Sequence, residues 1–137
     1  MMPISPRILI VEEDDDVRDL LERALVRVLP QAEIHGCWSF PAALELLRDD
    51  CNFDLVISES NHLGMDGGRL ARALLELRRL IPVLICSWDP PEERERLMRF
   101  PNIVRFLPKP VLPQAIGDAV FEALAIAPAC RTEAAAG

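Results

Sequence analysis

Four consecutive apolar residues, Ile8-Leu9-Ile10-Val11, open the pattern along this chain. A run with no polar alternation is expected of a strand buried on both faces. Val17, Leu20, Leu21, Ala24, Leu25 and Val28 then recur at helical spacing, and Pro30 follows where that helix should stop. A weaker strand is predicted over about Glu33 to Trp38, followed by a short helix marked by Ala43, Leu46 and Leu47. Asp54-Leu55-Val56-Ile57-Ser58 reads as a third strand. Asn61 to Gly68 is turn-rich, with Asp66 a good N-cap for a helix carrying Leu70, Leu74 and Leu77. Pro82 to Ser87 is the fourth strand and Glu92 to Phe100 a short polar helix. Ile103 to Leu107 is the fifth strand, and the last helix follows Pro113, a residue suited to a first turn.

The pattern is (βα)5, and every crossover is long enough for a parallel connection. Right-handed crossovers then give a doubly wound α/β sheet of five parallel strands with helices on both faces. By analogy with folds of this size, the strand order is 2-1-3-4-5. One domain is expected over residues 1–127, and 128–137 form a small-residue tail. In such sheets a ligand site lies outside the carboxyl ends of the strands. Glu12 and Glu13 follow strand one, Glu59 strand three, Ser87 and Trp88 strand four, and Lys109 strand five. No glycine-rich phosphate cradle follows strand one, which argues against a nucleotide or flavin carrier.

Composition narrows the class further. Half of the 137 residues are apolar, so a buried core is expected. Acidic residues outnumber basic ones 22 to 15, for a formal charge of −7, which disfavours direct contact with nucleic acid or an anionic membrane. No apolar run reaches membrane-spanning length, and the N-terminus lacks the pattern of a secretory signal, so a cytoplasmic protein is expected. Cys37, Cys51, Cys86 and Cys130 form no CxxC pair, and His35 and His62 have no second ligand nearby in sequence. Zinc or a disulfide framework is unsupported.

ILIVEEDDDVRDLL, FDLVISESNHLGMDG and FLPKP, in that order and spacing, resemble the receiver domain of two-component response regulators, the CheY-like family with a flavodoxin-like fold. The likeness runs from residue 7 to about 126. It implies that a phosphoacceptor carboxylate ends strand three and that an acidic pair holds Mg²⁺ with it. It further implies that a Ser/Thr and a lysine grip the phosphoryl oxygens. Carried over, Glu12 and Glu13 are the acidic pair and Glu59 stands at the phosphoacceptor position. Ser87 is the hydroxyl, Lys109 the cation and Phe106 the switch aromatic. Were Mg²⁺ to bind, Glu13, Glu59 and the Asn61 backbone carbonyl would be its ligands.

Departures from the family pattern decide the functional expectation. Glutamate is one methylene longer than aspartate, so the Glu59 carboxylate reaches roughly 1.5 Å further into the pocket. In-line transfer tolerates less misplacement than that. Glu13 stands where the family has aspartate, although Mg²⁺ is strict about geometry. Trp88 occupies a position the family keeps small and is read as a pocket lid, and Leu63 replaces a loop proline. The expectation is a stand-alone, atypical receiver that is not an enzyme and needs no cofactor. Glu59, ion-paired with Lys109, would imitate a phosphorylated aspartate. A Mg²⁺-dependent phosphoacceptor, and a receiver belonging to or partnering a transcription regulator, are the alternatives. EEDDD also has a plainer reading as an acidic first helical turn, with Asp14 or Asp15 as its cap. The expected partner is a signalling protein, either a histidine kinase or a downstream effector. Phe121 and Ile126 flank the inward stripe of the last helix (Ile116, Val120, Ala123, Leu124, Ala127) and mark a contact surface. A homodimer through helix four, strand five and helix five would use it.

Overall fold

The computed structural model describes the backbone of residues 4–50, 52–59, 61–62, 65–88 and 91–136, and their side chains except at 61, 62, 65–67, 91, 93 and 127–136. Its elements are β1 (Arg7–Val11), α1 (Asp15–Val28), β2 (Glu33–Cys37), α2 (Phe40–Asp49) and β3 (Leu55–Glu59), then a small hairpin, α3 (Gly67–Glu76), β4 (Val83–Ser87), α4 (Pro91–Leu97), β5 (Ile103–Pro108) and α5 (Pro113–Ala136). The five long strands pair in parallel in the order β2-β1-β3-β4-β5, as the pattern predicts.

Each central strand carries an unbroken apolar run because both of its faces are covered. Leu9, Val11, Val56, Val83 and Ile85 pack on one side with Ala43, Leu47, Leu70, Leu74 and Leu97 from α2, α3 and α4. Ile8, Ile10, Leu55, Ile57, Leu84 and Cys86 pack on the other side with Leu21, Leu25, Ile116, Val120 and Leu124 from α1 and α5. Helix α5 lies close on α1, where a β-carbon on Gly117 would sit 3.3 Å from Val28 Cγ2.

The helix starts follow capping chemistry. Asp14 Oδ1 accepts from the backbone N–H groups of Asp16 and Val17, and Ser39 Oγ accepts from Ala42. Helix α3 ends in a Schellman arrangement. Arg79 N–H donates to the Leu74 carbonyl and Arg78 N–H to Leu75, with Arg78 in the left-handed region at φ 57°. At the amino end of the sheet Arg7 is the centre of a charge cluster. Its backbone N–H donates to Asp54 Oδ2 at 2.7 Å, its guanidinium pairs with Glu33 and Asp50, and that group also lies 4.7 Å from the Phe53 ring.

Four features differ from the pattern-based reading. Helix α4 stops at Leu97 rather than Phe100, because residues 98–100 close in turns ahead of Pro101. Its anchor is Leu97, which is fully buried. Helix α5 does not stop at 127: its backbone stays helical to Ala136 through what was read as a tail. Alanine's helix propensity carries it past Pro128, which has no N–H to offer Leu124. The hairpin Asn61–His62/Met65–Asp66 was read only as turn-rich sequence, its strands being too short for a period-2 signal. Strand β2 ends at Cys37, leaving Trp38 outside it.

Arg78→Gly removes the left-handed penalty at the end of α3 and is expected to raise stability by about 1 kcal/mol, read from the urea midpoint at unchanged m-value.

Candidate functional site

Strand alternation fixes which side chains meet beyond the carboxyl edge. Glu12 continues the parity of Ile8 and Ile10, Glu59 that of Leu55 and Ile57, and Lys109 that of Leu107. All three therefore emerge on the α1/α5 side. Glu12 N–H extends the sheet ladder by donating to the Cys37 carbonyl at 3.0 Å, and Lys109 N–H donates to the Ser87 carbonyl at 2.9 Å.

The result is a buried ion cluster. Lys109 Nζ lies 2.6 Å from Glu12 Oε1 and 2.9 Å from Glu59 Oε1, with the three side chains only 3–6% exposed. Glu12 Oε2 accepts from the Asp14 N–H at 3.2 Å. Glu59 Oε2 is buried and has no hydrogen-bond partner among the described residues. Burial pushes the Glu59 carboxyl above its usual range, and the facing Glu12 carboxylate adds to that, while Lys109 opposes it. Burial draws Lys109 downward, but the two carboxylates outweigh it and hold the ammonium above its usual range.

A pocket of about 330 Å³ opens over this cluster, lined by Glu12, Glu13, Asp14, Val17, Glu59, Trp88 and Lys109. Glu13 is exposed and stands at the rim. Trp88, 71% exposed, lines this pocket and also an apolar cavity between α1 and the start of α5. Ser87 is buried at the end of β4 on the opposite parity, with Val83 and Ile85, and is not among the described residues lining the pocket. Phe106 packs into the core on the α2–α4 side, with the Arg94 guanidinium 5.1 Å from its ring centre. Phe121 and Ile126 are 42% and 44% exposed on α5. Asn61 belongs to the hairpin, but the surroundings of its carbonyl fall outside the described residues, as does Leu63.

The sequence reading paired Lys109 with Glu59 and took Glu12 and Glu13 together as an acidic pair. Glu12 instead takes the shorter contact. The signal for this was present in the strand order: β1 and β3 are neighbours with Val11 opposite Ser58, so the residues after each emerge side by side. Glu13, next along the chain, follows the other parity. Asp14 acts as the α1 cap, as the plainer reading of EEDDD anticipates.

Of the groups that the family resemblance implies for Mg²⁺, Glu59 lies in the buried cluster and Glu13 at the pocket rim. The Lys109 ammonium occupies the space between the two buried carboxylates, and among the described residues no three His, Cys, Asp or Glu side chains converge to hold a metal.

Comparison with known proteins agrees with the architecture. The family model described as "Response regulator receiver domain" matches residues 8–121. The two-component response regulator ARR14 of Arabidopsis thaliana is 35% identical over 88 residues, covering 64% of this chain. The chain spans about a fifth of that relative, the match covering 22% of its length. The signal receiver domain of an HD domain-containing protein from Pseudomonas fluorescens Pf-5 superposes with TM-score 0.76 at 26% identity, covering 91% of this chain and 98% of that one. A response regulator receiver domain protein from Clostridium thermocellum gives 0.78 at 18% identity, covering 88% and 94%.

Removing the shared cation should expose the cost of the cluster. Lys109→Met leaves Glu12 and Glu59 facing each other without a counter-charge, so a loss of about 3–5 kcal/mol is expected at pH 7. A carboxyl held above its usual pKa disfavours folding as pH rises past the unfolded value, so that loss should shrink toward pH 4 as the cluster takes up a proton. Denaturant titrations of both proteins at the two pH values read the difference.

Proposed function

This chain belongs to the response regulator receiver domain family, and from that premise we propose that it is an atypical receiver whose signalling state does not depend on phosphorylation. Receivers of two-component systems exchange signals with kinases and effectors, so the partner proposed is a signalling protein of that kind, met in the cytoplasm. Neither nucleic acid nor a membrane surface is an expected target at a net charge of −7.

The contact that carries the reading is Lys109 Nζ to Glu59 Oε1 at 2.9 Å. The family's lysine is expected to meet an oxygen of the phosphorylated acceptor. Here a carboxylate oxygen supplied by the longer side chain holds that position permanently. Glu59 therefore serves as a fixed imitation of the phosphorylated aspartate. The cation between Glu12 and Glu59 supports the same reading, since an ammonium balances charge that the family leaves to a metal. Ser87, buried at the end of β4, and Phe106, packed under Arg94, are the proposed companions of this locked state.

Phe121 and Ile126 mark the surface proposed for contact. They sit on α5 among small residues, beside β5 at the edge of the sheet, where a partner protein or a second copy can cover them.

Two measurements test the reading. Intact mass after incubation with Mg²⁺ and acetyl phosphate should show no added phosphoryl group on the unmodified protein, and a labile one there would overturn the proposal. Glu59→Asp run alongside reports whether the pocket still accepts phosphate once the acceptor is shortened. For the contact surface, sedimentation of the protein and of Phe121→Asp should show a dimer converted to monomer. A dimer unmoved by the substitution, or no dimer at all, would remove the second-copy form of that surface.

A further inference from the structure

The ion cluster leaves one buried acceptor unused, and its surroundings favour a particular class of guest. Glu12 is fully engaged, by Lys109 through Oε1 and by the Asp14 N–H through Oε2. Asp14 is engaged in capping α1. Glu59 spends Oε1 on Lys109, while Oε2 stays buried without a partner among the described residues, and the Glu59 side chain as a whole lines the pocket. A buried carboxylate oxygen without a donor is costly, and a bound donor removes that cost.

We propose that this pocket binds an organic cation, a guanidinium or alkylammonium group, with Glu59 Oε2 as its buried acceptor and Trp88 as its aromatic wall. Charge selects the sign of the guest. Among the described residues, the carboxylates of Glu12, Asp14 and Glu59 line the pocket together with one ammonium, that of Lys109. Chemistry then selects an organic ion over a bare metal. The described carboxylates do not converge on a common point, and the indole at the rim offers a π-face rather than an oxygen ligand. Weakly hydrated cations gain from an aromatic wall, and guanidinium also donates in a planar fork suited to carboxylate. A volume of about 330 Å³ suits a side-chain-sized guest and lies near the lower end of small-ligand pockets, roughly 300–1,000 Å³. The guanidinium of Arg18 is committed elsewhere, to Asp15 and the Glu12 carbonyl. The inference stands apart from the signalling role, because it concerns the second oxygen of Glu59 rather than the one that meets Lys109.

The test uses the whole chain and two probes: ethylguanidinium as a free cation, and the pentapeptide Gly-Gly-Arg-Gly-Gly as a protein-borne one. The same peptide with citrulline in place of arginine has the shape without the charge. Calorimetry gives affinity, and the Trp88 indole N–H resonance, assigned by its loss in Trp88→Phe, reports the site. Saturable binding of either cation that shifts this resonance is expected. Glu59→Gln should weaken it by about tenfold or more, and Trp88→Ala by about two- to fivefold. Trp88 is largely exposed, so its variant leaves the fold intact, and circular dichroism checks Glu59→Gln. Tighter binding of ethylguanidinium would mark a small-molecule ligand, and tighter binding of the peptide a partner's side chain; either supports the site. No saturable binding, equal binding of the citrulline peptide, or affinity unmoved by both variants would overturn it.

Discussion

A lysine ammonium held between two buried glutamates is the constraint on which the rest of the site depends. Lys109 comes from the turn after β5, Glu12 from the end of β1 and Glu59 from the end of β3, so the contact ties together strands that the chain order separates. Charges this deeply placed are tolerable only as a compensated group, since desolvation penalises each one alone. The cluster nevertheless holds two carboxylates for one ammonium, and that imbalance governs its chemistry. It adds to the effect of burial in holding the Glu59 carboxyl above its usual range, and it gives the pocket above a negative lining.

The thiols show the same low-dielectric interior without compensation. Cys86 has its pKa pushed up to about 12 and Cys37 to about 11, chiefly by burial, so both behave as small apolar side chains. Cys86 packs in the layer directly beneath the ion cluster, opposite Glu59 in the β3–β4 register.

Most of the fold was legible because strands buried on both faces write unbroken apolar runs, and amphipathic helices write a 3.6-residue period between them. The five strands and the helices between them followed from that contrast, while the strand order came from analogy with folds of this size. What escaped were features with no periodic trace. The end of α4 is set by turns before Pro101, the hairpin strands are only two residues each, and α5 extends through alanine-rich sequence that looks the same whether helical or not. At the site, the residue types at the strand ends were readable, but their partition was not. Whether Glu12 or Glu13 faces Lys109 depends on where the β1 ladder ends, and the Glu12 N–H to Cys37 bond carries it one residue past the last strand position. Ser87 ends β4 at the edge the sequence assigns to it, on the parity of Val83 and Ile85.

An unbroken apolar strand has a weakness that the charges at its two ends correct. When both faces are buried, sliding β1 by one residue exchanges one set of apolar side chains for another and costs little in hydrophobic terms alone. Here β1 begins at Arg7, bound to Asp54 beside β3 and to Glu33 on β2, and is followed by Glu12, bound to Lys109. A slip of one residue would unmake the ionic contacts at both ends of the strand together. The two clusters therefore act as end-stops on the alignment of β1 with its neighbours, and a chain that lost either one would be left with a sheet whose strands can shift past each other.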